Sequence, residues 1–179
     1  MYYYKPSVKT GDIFLTHDNN EWLAKGIRFI QKIYAEDNEA LYSHAGIILD
    51  SAGNTFESKM RVGSYCFFEQ YANMNVVIYR PPNKKSLKTA IQKIIQKHDG
   101  DIYPIYRLFF HLLGVADHIH WNRQLVCSEL VAKYLYYAEL RDGHYYGTTP
   151  DNLHDEFRNN HYFKLIYEGK LPYIDSIGR

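Results

Sequence analysis

The stretch "LYSHAGIILDSAGNTFES" (residues 41–58) decides the fold. It holds two strand-like segments, residues 43–49 and 54–59, and the "DSAG" between them is typical of a hairpin loop. His44 stands at the start of the first segment, just before an apolar run. A titratable imidazole in that place is either a buried histidine with one hydrogen-bond partner or a catalytic base.

The length of the hairpin loop decides what His44 can reach. A four-residue loop pairs Gly46 with Glu57 and places Glu57 on the same face as His44, diagonally two positions away. Such diagonal neighbours lie roughly 7–8 Å apart at their Cα atoms, within reach of a long side chain. A two-residue loop moves Glu57 too far along the strand, and a three-residue loop turns it to the other face. The "DSAG" loop therefore predicts a His44–Glu57 pair with space left by Gly46, whereas the properties of Glu57 considered by itself favour a solvated strand residue.

Length and composition indicate one globular domain over residues 1–179. The hydrophobic fraction is 46% and the charged fraction 23%, both ordinary for a globular chain. The formal net charge of +1 argues against a nucleic-acid partner held by bulk charge. No stretch reaches the ~20 apolar residues of a membrane span, and no apolar signal core opens the chain. We therefore expect no integral membrane segment and a cytoplasmic protein, with a viral origin or release by lysis left open.

The other segments predict an α+β fold in which a mostly antiparallel sheet packs against helices. Strands come first, helices follow in the middle, and a strand returns at the end. Predicted strands are "GDIFLTH" (11–17), "NVVIYRPP" (75–82) and "HYFKLIYEG" (161–169). Predicted helices are "EWLAKGIRFIQKIY" (21–34), "LKTAIQKIIQKHDG" (87–100, capped by Ser86), a broken helix at 102–114, a helix at 126–140 and "TTPDNLHDEF" (148–157, with Pro150 in its first turn).

Cys127 opens the predicted 126–140 helix, where free backbone N–H groups and the helix dipole favour a thiolate. A cysteine in that position is otherwise a small buried apolar residue. A nucleophilic cysteine needs a base within hydrogen-bond reach and a third group that orients the base. His44 and Glu57 are the residues that can supply those two groups. The second cysteine, Cys66, forms no CxxC with the first, which favours a reducing compartment.

Six motifs together resemble a known family. "GDIFLTH", "SHAGIIL", "TFES", "GDIYPIY", "VCSELV" and "TTPDNL" look like motifs of the permuted NlpC/P60 papain-like cysteine peptidases and amidases (the YiiX/YebB-like group). The resemblance runs from residue 11 to residue 153. In the permuted group the histidine strand precedes the cysteine helix, which is the order of His44, Glu57 and Cys127. The resemblance implies a single papain-like, circularly permuted NlpC/P60 domain.

The resemblance also implies roles for individual residues. Cys127 matches the nucleophile, His44 the general base and Glu57 the residue that orients the base, while Tyr103 and Thr149 match positions that line the substrate site. The implied enzyme is a hydrolase that cleaves an amide or ester bond through an acyl-enzyme, without cofactor or metal. Its expected substrates are a small peptide, a peptidoglycan fragment or an acylated molecule. One departure is Val126, since many members carry an aromatic residue there, and this bears on the shape of the pocket.

Three alternatives stay open at this stage. A zinc site is one, because histidines and a carboxylate cluster at "ADHIHW" and just before it (His111, Asp117, His118 and His120), although a polar loop accounts for the same residues. An acyl-lipid hydrolase or acyltransferase of the same fold is the second, but "VCSEL" differs from the "NCEHF" motif of that branch. The third is a non-catalytic binding or structural module, for which the 18 tyrosines offer stacking surface.

Overall fold

The computed structural model describes residues 5–17, 41–102, 125–143 and 145–173. These ranges contain, in chain order, β1 (Ile13–His17), β2 (His44–Ile48), β3 (Asn54–Ser58), β4 (Val62–Cys66), α1 (Phe67–Gln70), β5 (Asn75–Arg80), α2 (Ser86–His98), α3 (Cys127–Tyr137), α4 (Pro150–Asn159) and β6 (Lys164–Lys170). The strands form one sheet in the order β4-β3-β2-β1-β5-β6, and every neighbouring pair is antiparallel. The predicted α+β fold with an antiparallel sheet is confirmed.

The hairpin between β2 and β3 has the predicted register, with Gly46 opposite Glu57. The loop is stabilised by Asp50, whose Oδ1 accepts hydrogen bonds from three successive backbone N–H groups, those of residues 52–54, at 2.9–3.1 Å. Gly53 adopts a positive φ of 93°, which favours glycine. A carboxylate that gathers the turn's free N–H groups therefore fixes the loop at four residues, and with it the face on which Glu57 lies.

The two faces of the sheet differ in what covers them. One face packs on α2 and α3 in the larger core, which includes Ile13, Ile47, Ile94, Leu130 and Tyr134. The opposite face carries a smaller apolar cluster around Phe14, together with residues such as Ile48, Phe67, Tyr71 and Ile78. Because strand residues alternate between faces, the register positions of His44, Gly46 and Glu57 fall on the Phe14 face.

The helix ends correct two details of the prediction. Ser86 does not cap α2: it is the first helical residue, and its hydroxyl donates instead to the carbonyl of Ala138, 2.8 Å away. The predicted helix to residue 140 stops at Tyr137, because Glu139 adopts a positive φ of 58°. Helix α4 begins at Pro150 as predicted.

The predicted helices at 21–34 and 102–114 lie almost entirely outside the described residues. None of the helices in the described ranges is both long and apolar enough to span a membrane. The division of the chain into one domain stays a prediction.

Candidate active site

The candidate site lies at the end of the sheet where β2 begins and β3 ends. Ser58, the last residue of β3, donates its hydroxyl hydrogen bond to the carbonyl oxygen of Leu125 at 2.8 Å. This bond holds the segment just before Cys127 against the end of β3. Cys127 is the first residue of α3, so the start of that helix lies beside His44, the first residue of β2.

His44 and Glu57 meet across the hairpin. Nε2 of His44 lies 2.9 Å from Oε2 of Glu57, and the Glu57 side chain is fully buried while that of His44 is 17% exposed. The sequence predicts this proximity from the loop length, and the observed register produces it. A buried carboxylate on one ring nitrogen fixes the orientation of the imidazole and leaves the other nitrogen, Nδ1, for a different partner.

Cys127, which is almost fully buried, is close enough to His44 to contribute to the shift of its pKa. Burial disfavours the charged imidazole, but the negative charge and hydrogen bond of Cys127, together with the hydrogen bond and charge of Glu57, outweigh it and raise the pKa of His44 to about 9. The surroundings of His44 therefore favour the protonated imidazole at neutral pH.

Glu57 has further partners that the sequence does not single out. The hydroxyls of Thr55 and Tyr71 both donate to its carboxylate, and Nζ of Lys59 lies 3.5 Å from Oε2. Burial raises the pKa of Glu57, but the hydrogen bond and charge of His44, followed by the charge of Lys59 and the hydrogen bond from Thr55, hold it below its ordinary value. The carboxylate is thus ionised although no water reaches it.

Sequence signals for these partners differ. Thr55 and Lys59 stand two residues either side of Glu57, so the period of a strand points to both. Tyr71 lies within "SYCFFEQYA" (residues 64–72), and nothing in the sequence brings it to this face.

Gly46 makes room for the pair, as predicted. A Cβ placed on Gly46 lies 2.5 Å from ring atoms of Phe14 and 2.7 Å from Cγ of Glu57, and real Cβ atoms do not approach so closely. The ring of Phe14 also lies 6.2 Å from that of His44, between centroids, and 5.0 Å from that of Tyr71. The rings of Phe14 and Tyr71 therefore lie near the His44 imidazole, on the face of the sheet where Gly46 leaves space.

Of the two predicted substrate-binding residues, the structure describes only Thr149. Tyr103 lies outside the described residues, as do His111, Asp117, His118 and His120 of the alternative zinc site. Thr149 is the N-cap of α4: its Oγ1 accepts from the backbone N–H of Asn152 at 3.1 Å and lies 2.7 Å from that residue's Oδ1. Its hydroxyl is thus engaged within the chain, and a role in substrate binding stays a prediction.

In the part of the chain that the structure describes, no three His, Cys, Asp or Glu side chains converge in a way that could hold a metal ion. The zinc alternative therefore rests on the undescribed residues.

Comparison with known proteins gives a match by structure. No family model matches the sequence, and no curated protein is significantly similar to it. Among solved structures, the chain is similar to the crystal structure of the metalloprotein YiiX from Escherichia coli O157:H7, with a TM-score of 0.55 and 14% sequence identity over 93% of this chain and 89% of YiiX. At that identity the likeness shows the fold and not the activity. The chain thus has a YiiX-like α+β fold.

Proposed function

We propose that this protein is a cysteine hydrolase of the permuted papain-like, NlpC/P60 type, which cleaves an amide or ester bond through an acyl-enzyme. One observation carries the proposal: the imidazole of His44 lies 2.9 Å from the buried carboxylate of Glu57, and Cys127 at the start of α3 is close enough to raise its pKa. A nucleophile, a base and an orienting carboxylate connected in that order are the parts of a catalytic triad. The YiiX-like fold is compatible with it.

The first half of the reaction forms the nucleophile. His44 takes the proton of the Cys127 thiol, and the Glu57 carboxylate stabilises the positive charge of the imidazolium that results. The thiolate attacks the carbonyl carbon of the substrate and forms a tetrahedral adduct. The backbone N–H of Cys127, in the first turn of α3, has no acceptor within the helix and can bind the developing oxyanion.

The second half of the reaction returns the proton. His44 protonates the leaving amine or alcohol, and the carbonyl re-forms as a thioester on Cys127. His44 then takes a proton from a water molecule, which attacks the thioester and releases the acid. Throughout the cycle Glu57 keeps the ring in place and stabilises its charged form.

Labelling and acylation test the proposal without a known substrate. Both cysteines are free, so Cys66 serves as an internal control for alkylation by iodoacetamide, followed by peptide mass spectrometry. We expect Cys127 to react at least ~10-fold faster than Cys66 at neutral pH, since the thiolate is the nucleophile. We also expect p-nitrophenyl acetate to leave an acetyl group on Cys127, and His44→Ala to abolish both results. Equal, slow labelling of the two cysteines would favour a non-catalytic module.

Metal chemistry is the competing function, favoured by the description of YiiX as a metalloprotein. Elemental analysis of the purified protein separates the two. One equivalent of zinc, together with esterase activity that survives Cys127→Ala, would contradict the cysteine mechanism. Assays with peptide, peptidoglycan-fragment and acyl-ester substrates then assign the bond that is cleaved.

A further inference from the structure

A short segment, residues 147–151, contacts the first turn of α3. The hydroxyl of Ser128 donates to the carbonyl of Thr148 at 2.6 Å, and the N–H of Gly147 donates to Oε1 of Glu129 at 2.9 Å. The other oxygen of Glu129 accepts from the backbone N–H of Val126 at 3.2 Å. Ser128 and Glu129 are both buried, so these bonds form where water does not compete.

The other end of the same segment holds the chain that leads into β2. Oδ1 of Asp151 accepts hydrogen bonds from the backbone N–H groups of Leu41 and Tyr42, at 3.1 and 3.0 Å. These two residues immediately precede Ser43 and His44. The Tyr42 ring packs 4.7 Å from the ring of His154 on α4, between centroids, which seats the incoming strand on the same helix.

The segment between these two ends is itself stiff. Thr149 caps α4, and Pro150 occupies its first position with a fixed φ. The hydroxyl of Thr148 accepts from the Arg141 guanidinium at 3.0 Å, and Arg141 also pairs with Glu156 of α4 at 3.3 Å. Residues 147–151 thus connect the cysteine helix to the histidine strand, and the proline ring, the helix cap and the Arg141 hydrogen bond restrict the conformation of this segment.

We propose that residues 147–151 are a bridge that sets the position of Cys127 relative to His44, with Glu129 and Asp151 as positioning residues. The Ser58–Leu125 and Tyr134–Gly11 hydrogen bonds hold α3 at two points, but the rest of its contact with the sheet is apolar packing, which is not directional and tolerates a small shift of the first turn. Hydrogen bonds at both ends of the bridge remove that freedom. A displacement of 1 Å between reacting groups can lower a rate by about 10²-fold. The inference rests on the proposed function, because it concerns the pair that the function uses.

The acceptor on Asp151 provides the test. Asp151→Ala removes it, whereas Asp151→Asn keeps an oxygen for the two backbone donors and removes only the charge. We expect Asp151→Ala to slow iodoacetamide labelling of Cys127 by about 10-fold, with Cys66 unchanged, and to move the pH profile of Cys127 labelling towards that of Cys66. Asp151→Asn should restore most of the rate and the profile.

A second variant at the far end covers the case in which Asp151→Ala does not fold, as judged by circular dichroism. Ser128→Ala removes the donor to the Thr148 carbonyl, and we expect it to slow Cys127 labelling in the same direction by a few-fold. The outcomes separate the two proposals. If labelling of Cys127 in the wild type is no faster than that of Cys66, the proposed function fails. If the wild type shows fast, His44-dependent labelling and the folded bridge variants match it, the bridge is wrong and the function stands.

Discussion

Two histidine–carboxylate pairs in this protein have similar N–O distances, but the pKa values of their histidines shift in opposite directions. Nε2 of His44 lies 2.9 Å from Glu57, and Nδ1 of His98 lies 3.0 Å from Asp101. Yet the pKa of His44 is raised to about 9, whereas that of His98 is lowered from its ordinary value. A carboxylate within hydrogen-bond distance therefore does not by itself make a charged imidazole.

The surroundings of each pair explain the difference. Burial disfavours the charged form of both rings. At His44 the interactions with Cys127 and with a fully buried carboxylate both raise the pKa of the imidazole. At His98 burial dominates, the Asp101 hydrogen bond opposes it, and the positive charge of Lys133 again disfavours protonation. The second neighbour, Cys127 in one case and Lys133 in the other, therefore separates the raised pKa of His44 from the lowered pKa of His98.

Removal of each carboxylate should break the comparison most strongly. Glu57→Ala removes the buried carboxylate that accepts from the Thr55 and Tyr71 hydroxyls and pairs with His44, so we expect a loss of about 3–5 kcal/mol in unfolding free energy. Asp101 is 24% exposed, and water can replace it, so Asp101→Ala should cost about 1 kcal/mol. Urea unfolding at neutral pH measures both. Similar losses would mean that Glu57 is not the buried centre described here.

The pH dependence of stability should have opposite signs at the two pairs. The pKa of folded His44 lies above its ordinary 6.5, so its contribution is complete below pH 6.5 and is lost as the pH rises through about 9, up to about 3 kcal/mol in all. The pKa of folded His98 lies below 6.5, so the unfolded chain takes up the proton first, and stability falls as the pH drops below 6.5.

Unfolding of the wild type, His44→Gln and His98→Gln from about pH 5 to about pH 10 tests both signs. The wild type should lose its advantage over His44→Gln towards alkaline pH and over His98→Gln towards acid pH. A common direction for both would contradict the assigned charges.

Two glycines lie on either side of Glu57 in the sheet, and alanine substitutions at the two positions test how tightly the Glu57 side chain is packed. Gly46 and Gly63 are its partners on β2 and β4. Gly46→Ala forces a methyl group against Phe14 and the Glu57 side chain, so we expect a loss of about 1–3 kcal/mol and slower Cys127 labelling. Gly63→Ala meets only an Asp99 oxygen at 3.7 Å, so its effect should stay within about 1 kcal/mol and favour the folded state. Equal losses in thermal unfolding would show that the crowding at Gly46 is relieved elsewhere.

The parts of the site that follow from local pattern were accessible from the sequence. The "DSAG" loop predicted the register that brings Glu57 to His44, because strand alternation and loop length are local properties. The Ser58–Leu125 and Asp151–Leu41 hydrogen bonds join residues 67 and 110 positions apart, and no periodicity encodes such contacts. The prediction that Ser86 caps α2 was wrong for a related reason, because its hydroxyl donates to the carbonyl of Ala138 at the end of α3, a contact that is distant in sequence.

The smallest expected effect concerns a hydroxyl beside His44. Thr16 stands directly opposite His44 in the β1–β2 register, is fully buried, and its Oγ1 has no hydrogen-bond partner among the residues that the structure describes. Nε2 of His98 is unpartnered in the same sense. One unpartnered polar atom therefore lies beside each histidine–carboxylate pair: Oγ1 of Thr16 on the strand next to His44, and Nε2 on the ring of His98 itself. Each of these atoms lowers the stability of the fold. Thr16→Val removes the atom and keeps the shape, so we expect a gain of about 1 kcal/mol.

Thr55→Val is the matched control, because the Thr55 hydroxyl donates to Glu57 and its removal should cost about 1.5–3 kcal/mol. Opposite signs for the two valine variants in urea unfolding would show that hydroxyl groups around this histidine are not equivalent. If Thr16→Val also loses stability, the Thr16 hydroxyl is satisfied in the folded protein. Of the two atoms, only Nε2 of His98 would then be an unpartnered polar atom that lowers the free energy of unfolding.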